Sequence, residues 1–328
     1  MTLTLSTAIA SVVSCLTSAL VAWWITRNAT WLPRDKPNQR SLHSLPVPRC
    51  GGLAVMIGFI AGGLLFPSDL LVNLLFVVFP LAAISFLDDC RGLSALVRFA
   101  AHLSAAAVFV GLFFADTPLP VMILVATLIA WMTNLYNFMD GSDGLAGGMG
   151  FFGFGAYGFA AWLAGDHYLA IPSACLAASA LGFLFFNFPP ARIFMGDAGS
   201  IPMGFLAGAF GSLGWHRAIW PAWFPLLVFA PFIIDASVTL ARRLWRREKV
   251  WQAHRSHYYQ RLIRLGWGHR KTALAEYAVM AGSVLMALTA LAADSDMQII
   301  IIAGSLIIYI SLMALIDRCW HNSGQEIS

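Results

Sequence analysis

Apolar residues fill whole stretches of this chain, separated by short polar gaps. Continuous apolar runs lie near 5–25, 52–66, 70–87, 98–114, 119–137, 147–164, 168–186, 201–214, 223–240, 274–293 and 298–316. A membrane crossing by a helix takes about 20 apolar residues, with a range of about 17–25. The pattern predicts an all-α, polytopic integral membrane protein of about 11 transmembrane helices, several of them short for a full crossing. Turn chemistry marks the gaps at Pro67-Ser68-Asp69, Asp116-Thr117-Pro118, Gly165-Asp166-His167 and Asp294-Ser295-Asp296.

The basic residues sort by gap. Arg27, Arg34, Lys36, Arg40 and Arg49 follow the first run, and ten more lie between the ninth and tenth, from Arg242 to Lys271. With Arg91, Arg98, Arg192 and Arg318, nineteen of the twenty lysines and arginines fall in alternate gaps, and only Arg217 is left for the others. The positive-inside rule then places the N-terminus outside and the C-terminus in the cytoplasm. No basic residue precedes the first run, which is therefore expected to be a retained span rather than a cleaved leader. One transmembrane catalytic domain over 1–328 is expected, with cytoplasmic loops near 26–51, 88–97, 138–146, 187–200 and 241–273.

Composition agrees with this pattern and excludes others. Hydrophobic residues make up 59% of the 328 positions and charged residues 11%, against about 25% charged in ordinary soluble domains. A soluble enzyme, a disordered tail and a secreted scaffold are all excluded, and no nucleic-acid partner is expected; the lipid bilayer is. The five cysteines form no CxxC pair and no disulfide or zinc framework.

Asp88, Asp89, Asp140, Asp143 and Asp197 fall at the predicted cytoplasmic ends of apolar runs. Acids at a membrane edge repel one another and need partners. A divalent cation supplies one, and magnesium suits oxygen ligands.

Four segments carry candidate chemistry. Asp88-Asp89 closes the third run; neighbouring helical residues diverge by about 100°, so one acid is free to face metal while the other faces a second group. In Asn134-Leu-Tyr-Asn137-Phe-Met-Asp140-Gly-Ser-Asp143-Gly, polar residues recur every third position and then meet glycines that let backbone approach a ligand. In Asn187-Phe-Pro-Pro-Ala-Arg-Ile-Phe194-Met-Gly-Asp197-Ala-Gly-Ser200, the prolines stop a helix, while Asp197 and Ser200 are candidate caps for the next. Phe194 offers an aromatic face close by, with lipid or core packing as the alternative. In the long basic loop, His254-Arg255-Ser256-His257-Tyr-Tyr-Gln260 suits phosphate or sugar better than a metal, which would lack a third ligand. Arg49, beside Gly51-Gly52, is a further phosphate candidate.

Taken together, N-x-x-N-x-x-D-G-x-D-G-L-A, P-P-A-x-x-F-M-G-D-x-G-S, the Asp pair and the two basic loops resemble the polyprenyl-phosphate N-acetylhexosamine-1-phosphate transferases. Within that superfamily, the first loop (Pro37-Asn-Gln-Arg40-Ser-Leu-His43 through Arg49-Cys-Gly-Gly) and the His254–Gln260 segment look like the O-antigen-initiating FucNAc or QuiNAc transferases of lipopolysaccharide synthesis. The resemblance implies a bacterial inner-membrane enzyme with a cytoplasmic site. It would transfer N-acetylhexosamine-1-phosphate (FucNAc, QuiNAc or GlcNAc type) from a UDP-sugar to undecaprenyl phosphate and release UMP. The cofactor would be Mg2+, or Mn2+, and a homodimer is compatible with it. Asp197 and Asp89 would hold the metal, and Asp88 and Asp89 would position or deprotonate the lipid phosphate. Asn134, Asn137, Asp140, Asp143 and Asn187 would bind the nucleotide-sugar, Phe194 would stack on uracil, and Arg49, His254, Arg255 and His257 would hold phosphates or sugar. A secondary transporter or a non-catalytic membrane scaffold remains the alternative. Transporters, however, place their acids near the midplane in repeated halves, and these acids lie at one face.

Overall fold

The computed structural model describes residues 2–28, 32–35, 47–249 and 254–324. The Pro37–His43 motif lies outside these. The described chain is helical apart from one two-residue antiparallel pairing, β1 (Arg34–Asp35) with β2 (Val47–Pro48). The helices are α1 (Leu3–Asn28), α2 (Gly51–Gly63), α3 (Asp69–Arg91), α4 (Ala95–Phe113), α5 (Leu119–Phe138), α6 (Leu145–Leu163) and α7 (His167–Asn187). They continue as α8 (Asp197–His216), α9 (Trp223–Val228), α10 (Ala230–Trp245), α11 (Tyr258–Leu262), α12 (Gly268–Leu291) and α13 (Ser295–Asn322).

Each apolar run falls on a helix, but the runs are not eleven equal crossings. Among the described residues seven helical segments are long and apolar enough to cross a membrane: α1, α3, α4, α5, α7, the Tyr258–Leu291 segment that holds α11 and α12, and α13. With 13 residues, α2 reaches only about 20 Å at 1.5 Å per residue, short of a hydrocarbon core of about 30 Å. The predicted run 223–240 is broken at Phe229 into α9 and α10. Pro231 causes the break, since it has no N–H for the carbonyl four residues back and its ring crowds that carbonyl.

The polar gaps act as helix starts. Ser68 accepts from the Leu71 amide at 3.2 Å, Asp166 from Leu169 at 3.0 Å and Asp294 from Met297 at 3.0 Å, each satisfying an otherwise orphaned first-turn N–H. At the same end as Asp166, Arg217 closes on its carboxylate at 2.7 Å.

Burial separates a core from a shell. About 72% of the apolar window of α7 is buried inside the protein, against 11% for α13. Nearly all of α8 is buried, and its glycines let α5 and α2 lie against it. Backbone lies directly against backbone between Gly52, in the first turn of α2, and Gly199, in the first turn of α8, where a Cβ on either would overlap the other's backbone. The two starts are also stitched by backbone bonds: Phe194 N–H donates to Pro48 O, and Gly51 and Gly52 N–H donate to Phe194 O and Met195 O, each at 2.8 Å. This pairing brings Arg49 to the first residue of α8. Gly52→Val is expected to lower the unfolding temperature in detergent by several degrees. Overpacking costs about 1–3 kcal/mol, and each kcal/mol moves Tm by roughly 2–4 °C at this size. An unchanged Tm would show that the two starts separate freely.

Candidate functional site

The start of α8 is the centre of the site. Gly196, the residue preceding α8, offers no side-chain cap. Neither Asp197 nor Ser200 fills the capping position expected from the sequence; the cap comes from α3. Asp89 accepts from Asp197 N–H at 3.1 Å and Ala198 N–H at 2.9 Å. Its side chain is 0% exposed, and Arg49 Nε closes on it at 3.2 Å. Asp89 thus serves as a buried clamp between two helices, because both oxygens already face backbone donors. Asp88, one residue earlier on the helix, also reaches the Asp197 carboxyl. It accepts from the Leu93 N–H of its own loop and pairs with Arg98 on α4 at 3.3 Å.

Asp197 is left facing the side chains. Asn137 donates to it at 2.9 Å and to Ser200 at 2.8 Å. Arg49 lies 3.4 Å and Arg98 3.9 Å from its carboxylate. Asp140 stands beside the same group. Desolvation, then the charge of neighbouring Asp197, pushes its carboxyl well above the usual carboxylate range, with Arg49 opposing. The expected stripe of Asn134, Asn137 and Asp140 does not hold throughout, because α5 ends at Phe138 and Asp140 sits in the following loop. Asn134, one turn earlier, donates to Ala130 O at 2.7 Å and faces the buried His102 of α4 instead.

Four acids, Asp88, Asp89, Asp140 and Asp197, gather with two guanidinium groups, Arg49 and Arg98. Burial and the neighbouring Asp197 disfavour charge on Asp140, and a divalent cation at Asp197 would relieve that repulsion. Among the described residues no three His, Cys, Asp or Glu side chains gather closely enough to enclose an ion. Magnesium suits such a place, since it keeps several waters and uses one or two carboxylates together with phosphates. The donor set fits, with Asp197 the acid least occupied by backbone donors.

Asp143 and Asn187 form a separate group that shapes the glycine loop. Asp143 accepts from Ala191 N–H at 2.9 Å and lies 3.6 Å from His269, which also contacts Ser142 Oγ at 3.1 Å. Asn187 accepts from Gly144 N–H at 3.0 Å and donates to Ile193 O at 2.8 Å, so its buried amide is occupied by backbone. Tyr277 donates to Gly144 O at 2.7 Å. These bonds tie the loop before α6 to the loop before α8, where Phe194 lies half-buried.

The histidine segment forms the third group. His257 Nδ1 is 3.1 Å from Asp235 of α10, and the His254 ring stands 4.7 Å from the His257 ring. His254 Nδ1 contacts Ser256 Oγ at 2.8 Å. Burial, then the neighbouring His257 and Arg243, pushes the His254 imidazole down to about 4, so it is neutral near pH 7. Arg255 is half-buried beside them. From α13, Asp317 holds Arg261 at 2.7 Å and Arg242 at 2.8 Å, pinning both flanks of the segment. Tyr259 links this group to the first. Its ring stacks on His257 at 5.8 Å, and its hydroxyl donates to Phe138 O at 3.4 Å. That hydroxyl also fills the space a Cβ on Gly141 would need, which gives the glycine of the Asp140-Gly141 pair its reason.

Nothing in the sequence marks Arg98, His102, Asp235, His269 or Asp317 as site residues, and Ser200 and Tyr259 read there only as part of their motifs. Arg98 reads there as one more basic residue of a loop, and Asp235 as an acid within an apolar run. Only packing shows that they face the expected acids and histidines.

Fold and site define a polytopic membrane protein with an acid- and arginine-lined centre at one end of its bundle. The description "Glycosyl transferase family 4" matches residues 71–214. The chain is 30% identical over 290 residues to a probable undecaprenyl-phosphate N-acetylglucosaminyl 1-phosphate transferase of Bacillus subtilis, covering 83% of this chain and 81% of that protein. It is 29% identical to the decaprenyl-phosphate N-acetylglucosaminephosphotransferase of Mycobacterium tuberculosis, over 80% of this chain and 78% of that protein. It is 26% identical to the phospho-N-acetylmuramoyl-pentapeptide-transferase of Phenylobacterium zucineum, over 86% of this chain and 89% of that protein. The chain belongs to glycosyl transferase family 4, the superfamily of polyprenyl-phosphate hexosamine-1-phosphate transferases.

Proposed function

We propose that this protein transfers an N-acetylhexosamine-1-phosphate from a UDP-sugar to undecaprenyl phosphate at the cytoplasmic face of a bacterial inner membrane. The observation that carries the reading is the convergence of Asp197, Asn137, Ser200, Arg49 and Arg98 at the start of α8. An oxygen of the lipid phosphate attacks the sugar-linked phosphorus. The phosphoanhydride bond to UMP breaks, and the glycosidic carbon is untouched. One pyrophosphate linkage replaces another, so the reaction runs near equilibrium.

A phosphate monoester is already largely dianionic at pH 7, so the acceptor needs little help from a base. Catalysis is then mainly in-line positioning and charge neutralisation. Arg49 and Arg98 lie on opposite sides of Asp197 and are placed to receive phosphate oxygens. Asn137 holds the Asp197 carboxylate in orientation, and Ser200 in turn holds the Asn137 amide. The glycine loop, braced by Asp143, Asn187 and Tyr277, gives the nucleotide-sugar a fixed backbone to lie against, with Phe194 as the base-stacking face. His254, Arg255 and His257 meet the sugar or its phosphate. Asp197, with Asp89 beside it, would hold magnesium, which when bound draws negative charge from phosphate oxygens.

The reading of the sugar rests on the resemblance carried by the histidine segment. Its His254-Arg255-Ser256-His257-Tyr-Tyr form favours FucNAc- or QuiNAc-type donors, and hence a product that starts O-antigen or a related envelope polysaccharide. The relatives named for GlcNAc make that sugar the alternative donor. Purified protein, undecaprenyl phosphate, magnesium and a panel of UDP-N-acetylhexosamines test all of this. UMP release should need both lipid and divalent cation, and a chelator in excess should abolish it until magnesium is restored. Release without lipid, or undiminished by the chelator, would overturn the lipid or the metal part of the reading respectively. The donor with the highest kcat/KM identifies the sugar.

A further inference from the structure

One carboxylate outside the acid centre is satisfied on every side. Asp235 is buried near the middle of α10. Its Oδ1 accepts from His257 Nδ1 at 3.1 Å, Tyr258 N–H at 3.0 Å and Thr239 Oγ1 at 3.1 Å. Its Oδ2 accepts from Tyr259 N–H at 3.1 Å. An ionised carboxylate only accepts, so the proton between it and His257 belongs to Nδ1. The second ring nitrogen, Nε2, is then the one that meets anything else. The same carboxylate takes two first-turn N–H groups of α11, which fixes Tyr259, whose hydroxyl reaches Phe138 O beside the Asp140-Gly141 loop.

We propose that Asp235 is a positioning residue for the transfer reaction: it fixes the His257 ring with Nδ1–H on the carboxylate, so that Nε2 is the ring nitrogen left for the sugar donor. The proposal rests on the transferase reading and adds the ring orientation in which His257 works. The ring is held by Asp235 at Nδ1 and flanked by the rings of His254 and Tyr259.

Asp235→Asn keeps the shape but weakens the acceptor that holds Nδ1–H, so lipid-dependent kcat/KM should fall about tenfold. His257→Gln should cost at least as much, and adding Asp235→Asn to it should cost less than a further twofold.

The experiment is a double-mutant cycle in kcat/KM for lipid-dependent UMP release, with the full-length wild type, both single variants and the double. An undiminished kcat/KM in Asp235→Asn, or an equal loss with and without His257, would overturn the proposal and leave Asp235 as a structural cap only. Absence of lipid-dependent release from the wild type would instead overturn the transferase reading. Imidazole 15N resonances, assigned with His257→Gln, give a second test that does not require the Asp235 variant to fold. They should show Nδ1 protonated in the wild type, and a ring protonated only at Nε2 would refute the assignment.

Discussion

Asp197→Asn is expected to reduce lipid-dependent UMP release by about 10³-fold while leaving the protein folded. Preorganised charge and dipoles at a reacting centre commonly contribute factors of about 10²–10³ each, and here one side chain joins several of them. Asp197 is the first residue of α8 and is held by Asn137 at 2.9 Å and Arg49 at 3.4 Å. Asparagine keeps the size and one acceptor oxygen, so the helix start need not move; its cap comes from Asp89, not from Asp197. What changes is charge. The centre loses the carboxylate proposed to hold magnesium, and Arg49 and Arg98 lose the anion between them. Kinetics with saturating lipid and donor, together with thermal unfolding in detergent, would check this. A variant with an unchanged Tm and at least a tenth of wild-type kcat would show that Asp197 is only a structural partner of Asn137.

The gathering of Asp88, Asp89, Asp140 and Asp197 at one end of the bundle was legible in the sequence, and the limits of that legibility have physical causes. Apolar runs report burial in lipid or protein without distinguishing the two, so α2 and the broken pair α9 and α10 look like full crossings. A two-proline stop and a glycine-rich loop are local events, and both fell where expected, after Asn187 and around Gly141. The stripe argument for Asn134, Asn137 and Asp140 assumed a helix that continues; α5 ends at Phe138, Asp140 reaches the Asp197 group from the following loop, and Asn134 faces His102 instead. The adjacent acids Asp88 and Asp89 take their partners from α4 and α8. Such long-range pairings leave no spacing signal. The same holds for Asp235 with His257 and for Asp317 with Arg242 and Arg261, where an acid in one helix finds a base more than twenty residues away.

Arg49 is where loop, acid clamp and proposed substrate meet, and its removal should produce two effects of opposite sign. Its Nε pairs with Asp89 at 3.2 Å and a terminal nitrogen with Asp197 at 3.4 Å. The side chain is 42% exposed while that of Asp89 is 0% exposed. Arg49 therefore neutralises buried acid on one edge and offers the other to an incoming phosphate, a division the planar guanidinium fork allows and a lysine ammonium does not. In Arg49→Ala the four acids keep only Arg98 as a counter-charge. The centre becomes more negative, so half-saturating magnesium should fall. The same change removes a donor to phosphate oxygens and adds repulsion, so KM for the UDP-sugar should rise, with kcat/KM falling about 10²-fold. Charge-assisted contacts of this kind are worth roughly 1.5–3 kcal/mol, and that loss corresponds to about 2.7 kcal/mol. Arg49→Lys should restore the magnesium dependence and recover only part of the loss, since one ammonium cannot span both acids. Steady-state kinetics over a magnesium titration at several donor concentrations separates the two effects. A rise in half-saturating magnesium would mean that Arg49 orders the acids for the metal rather than competing with it for their charge. An unchanged donor KM would mean that its exposed edge meets no phosphate.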